Sequence, residues 1–184
     1  LRGSVADSDP DVLLMFDSLT VAAASTEGDS EFARAELERL IADSTNEQHL
    51  TRLFGIADRY EIVISPSLIG TVKERTDLLA LQEAVFTYEL NALRRSDDRS
   101  NTLLWVGREL DARPSDMARR ALAIELLGGK ETSEADLERA YGLLAECSVN
   151  EADLRRMLRI AELLDDQDHS SKVVELARDR FGES

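Results

Sequence analysis

The sequence predicts an all-α protein, a compact helical bundle or short array of antiparallel helical hairpins with about eight or nine helices. Three observations carry that expectation. Apolar residues recur at helical spacing in segments of about 16 residues joined by one- or two-residue joints, the pattern of stacked hairpins. Only 3 prolines and 9 glycines interrupt the 184 residues. Aromatic residues make up only 5%, so the core must be built from Leu, Ala, Ile and Val.

Each element has its own signals. "SDPDVLLMFDSLTVAAAS" opens the first helix, with Asp9 as cap and Pro10 at the first helical position. "DSEFARAELERLIADS" places Phe32, Leu37, Leu40 and Ile41 on one side. "NEQHLTRLFGIADRY" follows after one residue, capped by Asn46. In "EIVISPSLIG" a short strand competes with helix, because Ile62, Val63 and Ile64 are β-branched and Pro66 breaks what precedes it. A long helix is expected from Thr76 to Arg95.

"RSDDRSN" is the most polar joint and the best subdomain boundary. It separates an N-terminal part, 5–95, from a C-terminal part, 102–184, read as packed into one domain; residues 1–4, "LRGS", look like a cloning remnant. A hairpin follows, its first helix ending at Leu110 and its second starting at Ser115, with Gly128 or Gly129 expected as a left-handed cap. "SEADLERAYGLLAECS" and "NEADLRRMLRIAELLD" then align at an offset of 17. In both, a cap (Ser133, Asn150) is followed three residues on by an acid (Asp136, Asp153) able to reach back to the cap's own N–H. "SSKVVELARDRFG" forms the last helix.

The charge is lopsided, 37 acids against 22 bases for a net −15, and only Lys73, Lys130 and Lys172 among the bases are lysines. A high-GC genome and a salty cytoplasm both produce such a composition. Acidity repels nucleic acid and anionic membranes in general. The longest uncharged run, 62–72, is far too short to span a bilayer, and no secretory signal stands at the start, so no membrane partner and a cytoplasmic location are expected. The single cysteine, Cys147, excludes an internal disulfide and a cysteine zinc site, and its helical setting reads as a small buried residue. His49 and His169 read as surface histidines with no second metal ligand at helical spacing.

Two stretches carry candidate sites. "LDARPSDMARRAL" (110–122) resembles the turn and second helix of ribbon-helix-helix DNA-binding proteins, with Leu110, Ser115, Asp116, Met117, Arg119, Ala121 and Leu122 in matching places. The 103–122 hairpin is also similar to a helix-turn-helix, with Arg120 where an apolar residue belongs. Residues 94–120 hold seven arginines against five acids. The resemblance implies that Arg108, Arg113, Ser115, Arg119 and Arg120 touch phosphates. It departs from the ribbon family at Asp111, where glycine turns the chain, and at "RRSDDRSN", which holds the place of the base-reading strand. Separately, "ETSE" (131–134) with "ELLD" (162–165) resembles the paired acidic motifs of all-helical nucleotide pyrophosphohydrolases of the MazG type. That would make Glu131, Glu134, Glu162 and Asp165 magnesium ligands.

Neither a glycine-rich phosphate loop nor aromatics interleaved with bases are present, and no cofactor is called for. The expected function is a non-catalytic intracellular interaction or accessory module that presents helical faces to a protein partner. A DNA-associated regulator or DNA-modification accessory protein using the 103–122 hairpin is the alternative, and a magnesium-dependent pyrophosphohydrolase comes third.

Overall fold

A computed structural model describes residues 10–75, 78–129, 132–148 and 150–182, with side chains from Phe16 onward. The described residues form ten α-helices and no strand. This is two or one more than the eight or nine expected, since "PSLIGTVKER" forms a helix of its own. None of the described helices is long and apolar enough to cross a membrane. The chain divides between Ser96 and Asp97 into two compact units.

The first unit holds α1 (Pro10–Glu27), α2 (Ser30–Asp43), α3 (Glu47–Arg59), α4 (Pro66–Arg75) and α5 (Leu79–Arg95). Its core is an aliphatic cluster around Phe54, with Val21, Leu37, Ile41, Leu53, Leu81 and Val85 fully buried. α3 packs most closely on α5, where the Phe54 and Tyr88 rings meet edge to face at 5.7 Å. α5 starts at Leu79 rather than Thr76; Thr76 lies outside the described residues.

The β-branched run that competes for a strand becomes neither strand nor helix. Ile62 and Ile64 are buried and Val63 points outward, the in-and-out alternation of a strand without a partner strand. Tyr88 takes the partner's place. Its hydroxyl accepts the Ile64 N–H at 2.8 Å and donates to the Ile62 carbonyl at 3.0 Å.

The second unit holds α6 (Arg99–Ala112), α7 (Asp116–Leu127), α8 (Glu134–Ala145), α9 (Glu151–Leu163) and α10 (Gln167–Phe181). The main packing is between helices adjacent in sequence. α7 buries Ala118, Ala121, Leu122, Ala123 and Leu126, of which the three alanines admit neighbours closely. Ser115 caps α7 as expected, its hydroxyl accepting the Ala118 N–H. α6 runs on to Ala112 rather than ending at Leu110, because the pre-proline restriction acts on Arg113, which leaves the helical region with φ −142° and ψ 80°. Its start also reaches into the polar joint, where Asp98 caps it.

The left-handed cap expected at Gly128 or Gly129 is absent: Gly128 has φ −76°, and neither glycine has positive φ. Arg99 closes that helix end instead, donating to the Glu125 carbonyl from Nε at 3.1 Å and from Nη2 at 2.6 Å, and to the Leu126 carbonyl. A Cβ on Gly129 would stand 2.9 Å from both terminal nitrogens of Arg99, so the glycine serves a close approach and not a turn. Gly129→Ala is therefore expected to cost about 1 kcal/mol, the scale of the hydrogen bonds it disturbs. In an Arg99→Ala background it should cost nothing, as chemical unfolding of wild type, the two single variants and the double variant would show.

Positive φ occurs at Gly28 and Gly182 and also at non-glycine residues, among them Glu61 and Asp165, with φ of 54° and 53°. Both close Schellman turns: Ile62 N–H to the Ala57 carbonyl and Glu61 N–H to Asp58 at the end of α3, Asp166 N–H to Ala161 and Asp165 N–H to Glu162 at the end of α9.

Candidate functional site

The arginines at the start of α7 face inward to the α8–α9 joint. Asp153, at the third position of α9, is fully buried, and two arginines reach it. Arg120 donates from Nε to its Oδ2 at 2.8 Å, and Arg156 from Nη1 to its Oδ1 at 3.4 Å. Arg120 also donates to the Ser148 carbonyl at 2.6 Å. Arg119 pairs with Glu146 at 3.1 Å. Asp116 accepts the Ser148 N–H at 2.7 Å; that bond, and then the charges of Arg120 and Arg119, hold its carboxyl below the usual carboxylate range.

The sequence motif therefore builds a polar lock between the α7 N-terminus and the α8–α9 joint. Of the five residues read as phosphate contacts, Arg119 and Arg120 are spent on this lock and Ser115 on its cap. Arg108 and Arg113 are exposed and form no ion pair among the described residues. Cys147 is buried in the same joint, and burial pushes its thiol up, against any role as a nucleophile. The capping box closes both ways at Asn150, whereas at Ser133 the Asp136 carboxylate accepts the Ser133 hydroxyl proton instead.

The four acids of the magnesium reading are placed as follows. Glu131 lies outside the described residues. Glu134 is exposed in the first turn of α8, Glu162 is exposed and pairs with Arg159 at 3.1 Å, and Asp165 occupies the left-handed position after α9. Among the described residues a different trio, Glu138, Asp166 and His169, brings ligand atoms within 4.8 Å of one another.

Asp166 spends one oxygen on the Asp168 and His169 N–H groups that open α10 and the other on His169 Nδ1. That leaves only His169 Nε2 and Glu138, 3.7 Å apart, as two donors where a bound zinc needs three or four. Tyr141 packs edge-on against the imidazole at 4.0 Å and donates to the His169 carbonyl, so the group braces α8 to α10. Sequence spacing hides it because its members come from two helices and a joint.

Among the described residues of the second unit, α10 carries an exposed apolar stripe. α10 packs chiefly on α9, and on its open side Val174, Ala177 and Phe181 form a stripe at helical spacing. Val174 is 44% exposed and Phe181 55%. Leu154 and Leu158 on α9 complete a shallow groove of about 800 Å³, and Glu151, Arg155 and Arg178 stand among its lining residues. On the other flank of α9 a second depression is lined by Arg155, Arg156 and Arg159 together with Leu137, Ile160 and Leu163.

The chain matches no family model, no curated protein and no solved structure.

Proposed function

We propose that this chain is a non-catalytic helical interaction module that offers a protein partner the open face of α9 and α10. The observation that carries the reading is the stripe Val174–Phe181 with Leu158: large apolar side chains left in water on the outermost helix of a sequentially packed unit. Exposed apolar surface grouped in this way marks interaction sites in folded proteins.

The test is co-purification from native lysate with tagged wild-type chain and with the double variant Val174→Asp, Phe181→Asp. A partner recovered with wild type and lost in the variant supports the reading, and none recovered with either removes it. Anisotropy of labelled duplex DNA under rising salt separates the DNA reading. It should use Arg108→Ala with Arg113→Ala, because these two arginines are not committed to the fold. Salt-sensitive binding that these substitutions weaken would favour the DNA reading over this one.

A further inference from the structure

Resting on the interaction reading, we propose that the α9–α10 groove takes an acidic amphipathic helix. Its apolar stripe would lie on Leu158, Val174 and Phe181, and its carboxylates would meet Arg155 and Arg178. The floor of the groove sets the spacing. The stripe from Val174 to Phe181 spans seven residues, about 10 Å or two helical turns, so it matches side chains placed at i, i+3 or i+4, and i+7 on an occupant. Both walls are helices whose backbone groups are satisfied internally. A strand would find no free ladder to pair with, while a third helix continues the ridge-and-groove packing of its neighbours.

Charge selects the kind of helix. The chain carries −15 overall, yet among the described residues that line this groove there are two arginines and one acid, Glu151. Glu151 is already paired with Arg155, and both side chains are more than two-thirds exposed, so an incoming carboxylate can replace it at little cost. Arg178 forms no ion pair among the described residues. On the other flank of α9, Arg155, Arg156 and Arg159 line the second depression, each paired with an acid of the same helix, Glu151, Asp153 and Glu162. Two-fold pairing of a second copy on this face would set the arginine rim against itself, an unfavourable match. Electrostatic complementarity of this kind sets partner choice and association rate more than raw affinity.

The probe is a pair of labelled 18-residue helix-forming peptides with the same apolar stripe, one flanked by glutamates and the other by lysines. Anisotropy with the full chain is expected to show the glutamate peptide binding at least about tenfold more tightly, because two attractive ion pairs at the rim stand where the lysine peptide meets two repulsions. Val174→Asp with Phe181→Asp should abolish binding of both peptides. Arg155→Glu with Arg178→Glu should reverse the preference, and circular dichroism would show that these surface variants stay helical.

Equal binding of the two peptides, binding unaffected by the variants, or no binding of the glutamate peptide each overturns the proposal. A dimer in sedimentation that disappears in the Val174→Asp, Phe181→Asp variant overturns it in favour of a second copy. The lysate experiment separates this failure from that of the broader reading. A partner retained by the Val174→Asp, Phe181→Asp chain leaves the module standing without this groove, while no partner and no peptide binding remove both.

Discussion

Replacing Arg120 with methionine is expected to destabilise the chain by about 3 kcal/mol, more than removing its partner Asp153. The asymmetry follows from burial. Asp153 is 0% exposed, whereas the Arg120 and Arg156 side chains keep 27% and 39% of their surface in water. Without Arg120 the carboxylate stays buried with the longer Arg156 contact and the Asn150 N–H, and it cannot reach solvent. Without Asp153 both guanidinium groups can turn outward, so Asp153→Ala should cost about 1–2 kcal/mol, mostly the lost capping box. Replacing both, Arg120→Met with Asp153→Leu, should recover most of the loss, since an apolar pair of similar volume is close to neutral at such sites. Urea unfolding of the three variants checks this ordering; equal losses in the two single variants would refute it. Arg120→Ala is for the same reason no test of DNA binding, because weakened binding would follow from damage to the fold.

The single oxygen of Tyr88 should count for nearly as much. Tyr88→Phe removes an acceptor from the Ile64 N–H and a donor from the Ile62 carbonyl in buried surroundings, and no strand stands by to replace them. Two orphaned backbone groups at roughly 1–3 kcal/mol each, partly relieved by local adjustment, give an expected loss of about 3 kcal/mol. Burial also pushes the Tyr88 phenol up from its ordinary value, more than the Ile64 N–H lowers it. A raised folded value means that this contribution is fully present below about pH 10. It is lost as pH climbs through the raised value. Tyr141 is raised too, so the alkaline loss attributable to Tyr88 is the difference between wild type and Tyr88→Phe in unfolding measured from neutral to alkaline pH. A cost near zero for Tyr88→Phe, with unchanged alkaline behaviour, would mean that the Ile62–Ile64 segment finds its partners elsewhere.

How legible this was in the sequence depended on reach. Caps act within three residues, and Asn46, Ser115, Ser133 and Asn150 could all be read directly from their neighbours. The stripes that bury Leu37, Leu40 and Ile41, or Leu137, Tyr141 and Leu144, are equally local. What escaped were bonds between distant residues. Arg120 meets Asp153 across 33 positions, Tyr88 meets Ile62 across 26, and Arg99 meets Glu125 across 26. For the same reason a turn glycine was expected where Gly129 makes room for a guanidinium. The arginine-rich start of α7 looked like a phosphate grip because sequence displays the cations and not the acids that fold onto them. The groove was visible only as apolar residues in "SSKVVELARDRFG", since periodicity does not say which side of a helix stays bare.

The order in which helices meet has a kinetic consequence. In the second unit the main helix–helix packing joins helices adjacent in sequence, so most of it links segments near in the chain, and little loop entropy is spent before packing repays it. The first unit contains skipped pairings, α1 with α3, α2 with α4 and α3 with α5, and its core around Phe54 is incomplete until α5 arrives. Contact order is therefore lower in the second half of the chain, which can zip up from any of its hairpins, while the first half must wait for its last helix.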